Sequence, residues 1–265
     1  MNPFEDAIHA GLPLEGVEII DMHAHLGPYY NMHIPASGAG DMVRVMDRCG
    51  IRRTVVSANV GWDTDIVLGN DMMLQAAAAH PGRLYGACMV NGNHPELSRD
   101  ELERCFARPE VLIVKIHPWG TGCRLDDRRM KGIYEFASKR GLFVLVHTWY
   151  DGDPFGSQDL FAATARDYPQ ARWIMGHSGG PCGSRRAVEL AAAVPNIFLD
   201  TTLSMCPARQ IEFFVKEVGP ERILFGTDNP FIDPRPQIGR VGLADIPLAA
   251  KIDIFGANAR RHLAF

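Results

Sequence analysis

The chain has 265 residues, 46% of them hydrophobic and 22% charged, and a formal net charge of −4, which fits one globular domain with a sizeable core. Weak acidity without a basic run argues against nucleic acid as a partner, and no apolar run is long enough to cross a bilayer. The opening MNPFEDAIHAGLPLEG lacks the long apolar segment of a secretory signal, so a cytoplasmic protein is expected.

Along the chain, short apolar runs rich in Val, Ile and Phe read as strands at 17–25, 53–59, 84–91, 111–117, 142–149, 173–178, 197–202 and 223–228. Helical spacing fills the gaps. Met42, Val45, Met46 and Cys49 fall at i, i+3, i+4 and i+7 before Gly50. Met130, Ile133, Tyr134 and Ala137 repeat this before Gly141, and Ile211, Phe214, Val215 and Val218 before Gly219. Each stripe suits a helix face packed on a sheet. Strands alternating with helices imply parallel pairing, and eight such units in 265 residues predict a (β/α)8 barrel in one domain spanning 1–265. An open doubly wound sheet is the alternative, weakened because no Gly-x-Gly-x-x-Gly follows the first strand.

Such a barrel gathers its chemistry at the C-terminal ends of the strands. The first strand ends in His23-Ala-His25, the fourth in Lys115-Ile-His117, and the fifth in His147-Thr-Trp149. His177 ends the sixth and Asp228 the eighth. An H-x-H pair alone is weak, but five of the ten histidines, a lysine and an aspartate at one mouth point to a metal. His23 and His25 can chelate from one strand, with His147 and Asp228 reaching the ion from across the barrel. Imidazoles and a carboxylate suit one divalent zinc, or manganese or iron. Asp228 is placed to carry the proton of an activated water, and His177 to polarise or protonate a substrate. Asp21, deeper in the first strand, is expected to support the barrel rather than bind the ion. His117 and Trp149 are candidate substrate contacts, and Trp119 suits the cavity rim as well as its wall.

Six cysteines without a C-x-x-C pair read as free thiols. Cys123, Cys182 and Cys206 fall near the expected mouth but lack an activating base nearby in sequence, so they are expected to be unreactive.

Taken in order, IIDMHAHLG, NDMMLQAAAAHPGRLYGACMVN, LVHTW, MGHSGG, ILFGTDNPF and the closing IFGANARRHL resemble the amidohydrolase superfamily. The likeness is to its family 2 branch, which includes relatives of aminocarboxymuconate-semialdehyde decarboxylase. It implies that His23, His25, His147 and Asp228 bind metal, and that His177 is catalytic or a ligand of a second ion. Lys115 stands where two-metal amidohydrolases carry a carbamylated lysine, and KIHPWG resembles the urease stretch with that residue. A second ion is therefore expected only if Lys115 is carbamylated, and one ion is the preferred reading. The resemblance also suggests a homodimer.

The branch holds hydrolases and decarboxylases, so membership does not fix the reaction. The preferred expectation is hydrolysis of a small-molecule amide, lactone or ester by metal-activated water. The alternative is non-oxidative decarboxylation of a small unsaturated or aromatic acid, with Lys115, Arg124 or Arg185 holding the carboxylate. A non-catalytic binding barrel has no need of so many converging metal-type groups.

Overall fold

The structure is a computed structural model that describes residues 2–181, 183–205 and 207–265. Cys182 and Cys206, two of the thiols considered above, lie outside the described residues.

Val- and Ile-rich runs bury both faces, as parallel strands covered by helices must. The strands are β1 (Ile19–Leu26), β2 (Ile51–Ala58), β3 (Leu84–Val90), β4 (Val111–Ile116), β5 (Phe143–His147), β6 (Arg172–Gly176), β7 (Ile197–Asp200) and β8 (Ile223–Leu224). They pair in sequence order, each parallel to the next. Backbone bonds join the last to the first. Met22 N–H donates to Phe225 O, Asp228 N–H to His23 O and His25 N–H to Asn229 O, each at 2.8 Å. The expected (β/α)8 barrel is the observed fold.

The helical stripes pack as their spacing requires. In the helix Ala39–Cys49 the buried residues are Met42, Met46 and Cys49, and Gly50 ends it in the left-handed conformation. Ile133, Tyr134 and Ala137 are buried in Lys131–Arg140, and Ile211, Phe214 and Val218 in Gln210–Val218. Inside the barrel, Ile20, Met22, Ile113, Leu145, Ile174 and Leu224 fill the space between strands. With the interior packed, the C-terminal mouth is the place left for a site.

The ladders stop short of several expected strand ends. His117 begins the turn of helix Pro118–Thr121, while His177, Ser178 and Asp228 have φ of 61°, 46° and 63°. Left-handed backbone breaks the alternation of a strand and re-aims side chains, at a cost of about 1–3 kcal/mol per residue. Ser178 is held there by its own bonds, its Oγ donating to Asp200 O at 2.5 Å and accepting from Asp200 N–H at 3.0 Å.

Candidate active site

Strand alternation brings His23 and His25 inward on β1, and both are fully buried. Each then needs partners. The end of β7 supplies them for His23, whose Nδ1 donates to Asp200 Oδ2 at 2.7 Å. The same oxygen accepts the backbone N–H of His177 at 3.2 Å. Asp200 Oδ1 is held in turn by Thr202 N–H and its hydroxyl, at 2.9 and 2.7 Å. His177 Nδ1 donates to the Thr202 carbonyl at 3.1 Å. With both Nδ1 atoms engaged as donors, the Nε2 atoms of His23 and His177 carry lone pairs, which here lie within hydrogen-bond distance of Lys115 Nζ and His147 Nδ1 and which a ligand would compete for.

That arrangement produces a candidate metal site. His23, His177 and Asp228 each offer a ligand atom within 4.8 Å of the others. His25 Nε2 lies 3.0 Å from Asp228 Oδ1, and His147 Nδ1 lies 3.2 Å from His177 Nε2. Bonds of about 2.1 Å to one ion hold ligand atoms about 3–3.5 Å apart, so these spacings and this donor chemistry fit a divalent metal. Burial, reinforced by the Lys115 charge, pushes the His23 imidazole well below its ordinary pKa. Burial likewise lowers His25, His117 and His147, so these four rings are neutral at pH 7, the form that ligates. For Asp228, burial alone would raise the pKa. The His25 hydrogen bond and the nearby imidazoles outweigh it and leave the carboxylate ionised.

Lys115 is completely buried, with Nζ 2.8 Å from His23 Nε2. Burial lowers its pKa to about 8 against the pull of Asp228 and Asp200. Asp21 sits lower, accepting from the His23 and Thr227 N–H groups at 3.1 Å and from the Thr227 hydroxyl at 2.5 Å. Burial raises its pKa to about 8. It ties β1 to the segment after β8, the supporting place expected for it.

Above the cluster lies a cavity of about 600 Å³. Its lining includes His117 and Trp149, both expected there, and also Tyr29, Trp62 and Phe231. Trp149 stacks on His147 with ring centroids 5.6 Å apart, whereas Trp119 is a rim residue, 55% exposed. No lysine or arginine is among the described residues that line the cavity. Arg124 is turned to Asp126 and the Pro154 carbonyl, and Arg185 to Glu189. Neither candidate cation reaches the site. Cys123 is buried and its thiol pushed up by that burial, as an unreactive thiol should be.

Sequence reasoning missed Asp200, Thr202 and Trp62. Asp200 closes an apolar strand and meets His23 only across 177 residues of chain, so no local spacing announces it. Trp62 lies in the short helix Val60–Asp63 after β2, within a loop that carries no motif.

Among curated proteins, none matches the chain. Solved structures do. The 5-carboxyvanillate decarboxylase of Sphingomonas paucimobilis superposes with a TM-score of 0.73 at 16% identity, over 94% of this chain and 99% of that one. The 2,6-dihydroxybenzoate decarboxylase of Rhizobium gives 0.71 at 18%, over 92% and 98%. A dihydroxybenzoic acid decarboxylase of Polaromonas, solved with bound manganese, gives 0.72 at 19%, over 92% and 96%. At such identities the likeness shows a shared fold. A family model described as amidohydrolase matches residues 20–265, nearly the whole barrel, and the chain belongs to that family.

Proposed function

We propose that the protein is a metal-dependent, non-oxidative decarboxylase of a small aromatic acid. The observation that carries this reading is the aromatic-walled cavity directly over the His and Asp cluster. It suits a flat ring better than the varied shapes of amides, lactones and esters. Similar structures whose names specify aromatic-acid decarboxylases add support, so decarboxylation replaces hydrolysis as the preferred reaction.

His23, His25, His147 and Asp228 are the proposed ligands, with His177 a further donor beside them. A divalent ion held there, manganese or zinc, would supply Lewis acidity beside the bound acid. The chain's own residues do the rest. Asp228, ionised beside His25, can take a proton from the acid or a ring hydroxyl and return it to the carbon that loses its carboxylate. The electron pair of the broken C–C bond stays on that carbon, which gains the proton, and carbon dioxide leaves. The step needs no oxidant. The aromatic wall orients the ring and excludes water from it.

The test is release of carbon dioxide from a panel of aromatic acids by protein reconstituted with manganese or zinc, run beside hydrolysis of lactones, amides and esters. Hydrolysis without carbon dioxide release would return the hydrolase reading. Lys115 as an ammonium competes with a metal for His23 Nε2, and a carbamate there would instead bind a second ion. One ion per chain is expected with or without bicarbonate. A second ion appearing only with bicarbonate would establish the carbamate.

A further inference from the structure

Trp62 and His117 line the cavity and stack on one another, ring centroids 4.4 Å apart. They belong to a run of five rings, Tyr29, Trp62, His117, His147 and Trp149, whose successive planes differ by 18°, 26°, 16° and 18°. A ring with neighbours over both faces can show a ligand only its edge. Ring edges are the positive part of the quadrupole, and the edges of Trp62 and His117 each carry an N–H group, as do those of His147 and Trp149.

The protonation of His117 follows from its local structure. Gly120 N–H donates to its Nδ1 at 2.9 Å, so that nitrogen is the acceptor and Nε2 holds the proton. A Cβ on residue 120 would approach the same nitrogen to 2.9 Å, which favours glycine there. The indole Nε1 of Trp62 is a donor by nature. Both nitrogens are buried, on side chains 6% and 4% exposed, and neither has a hydrogen-bond partner among the described residues. In contrast, His23 and His177 have both ring nitrogens engaged. Unpaired buried donors are costly and call for an acceptor.

We propose that Trp62 Nε1–H and His117 Nε2–H form a neutral donor pair that reads the carboxylate of a planar aromatic acid, a role that rests on the reading given above. No lysine or arginine lines this cavity among the described residues, so the carboxylate meets neutral hydrogen bonds instead of a guanidinium. That choice suits a group that must depart as neutral carbon dioxide. A cation would hold the ground-state carboxylate most strongly and oppose its loss, whereas neutral donors orient it at a smaller penalty to the transition state.

The test is calorimetric binding of 2,6-dihydroxybenzoate and its methyl ester to manganese-loaded and to chelator-treated protein. Trp62→Phe keeps a ring in the stack without the donor. His117→Asn keeps an acceptor for Gly120 N–H and removes Nε2, with His117→Gln as the substitute if that variant does not fold. Each is expected to weaken the acid about tenfold while leaving the ester within twofold. Equal weakening of acid and ester would mean that the rings only pack, and would overturn the pair. So would an unaltered protein with no preference for the acid, including one that binds neither. Carbon dioxide release is read separately. Acid preference that disappears in the variants, in a protein that decarboxylates nothing, would sink the decarboxylase reading and leave the donor pair standing.

Discussion

The floor and the wall of the cavity are both rich in histidine but are built differently. On the floor, strand ends hold His23 and His177, and Asp200 and Thr202 fix which nitrogen of each carries the proton. On the wall, loops hold Trp62 and His117, whose buried N–H groups find no partner among the described residues. A floor whose tautomers are set by one carboxylate and one backbone carbonyl of the protein is organised before anything binds. A wall with spare donors is completed by what binds. Ion affinity should therefore answer to the floor, and choice of acid to the wall.

The largest expected effect breaks the floor at its carboxylate. Asp228→Asn should lower carbon dioxide release by about a thousandfold or more, because it removes both a proposed ligand and the proposed proton carrier. Asparagine tolerates the left-handed φ of 63° as aspartate does, so the circular-dichroism spectrum should be unchanged. Retained turnover would remove Asp228 from the mechanism. Next comes its support. Asp200→Asn should weaken the metal about 10–100-fold in a chelator competition, since His23 loses the carboxylate that orients it. Unchanged affinity would reduce Asp200 to a packing role.

A smaller effect concerns Lys115 and appears in stability rather than turnover. Its folded pKa of about 8 lies below the ordinary 10.5, so between those values the unfolded chain holds a proton the folded chain has released. Stability of chelator-treated protein should rise with pH across that window, and Lys115→Met should lose that contribution in urea titrations. A slope shared by both proteins would place its cause elsewhere. The smallest effect is expected at the exposed rim. Trp119→Ala should change acid affinity less than threefold by calorimetry, and a larger loss would extend the wall outward.

The floor was largely legible in the sequence because strand alternation is a local rule. His23 and His25 follow from it directly, and His147 from the end of β5. His177 and Asp228 were placed at the mouth by the same rule, although both sit on left-handed backbone beyond their ladders. The barrel determined their destination more than their own spacing did. The rest was hidden because it depends on distant pairing. Asp200 gains meaning only when β7 lies near β1, and Trp62 only when the loop after β2 lays its ring on His117. The aromatic column likewise draws on the loops after β1, β2, β4 and β5, whose sequences share no period.

Closure of the barrel has a further consequence, for how the protein folds and survives. The bonds that seal the ring run from Met22, His23 and His25 to Phe225, Asp228 and Asn229, so the same short stretches form the seam and carry three of the four proposed ligands. Neither end of the chain owns a site. Pairing residues about 200 positions apart is entropically expensive and late, which makes ion capture a reporter of the last step of assembly. An ion held there would act as a clasp across the seam, favouring the closed ring by mass action and slowing its first opening.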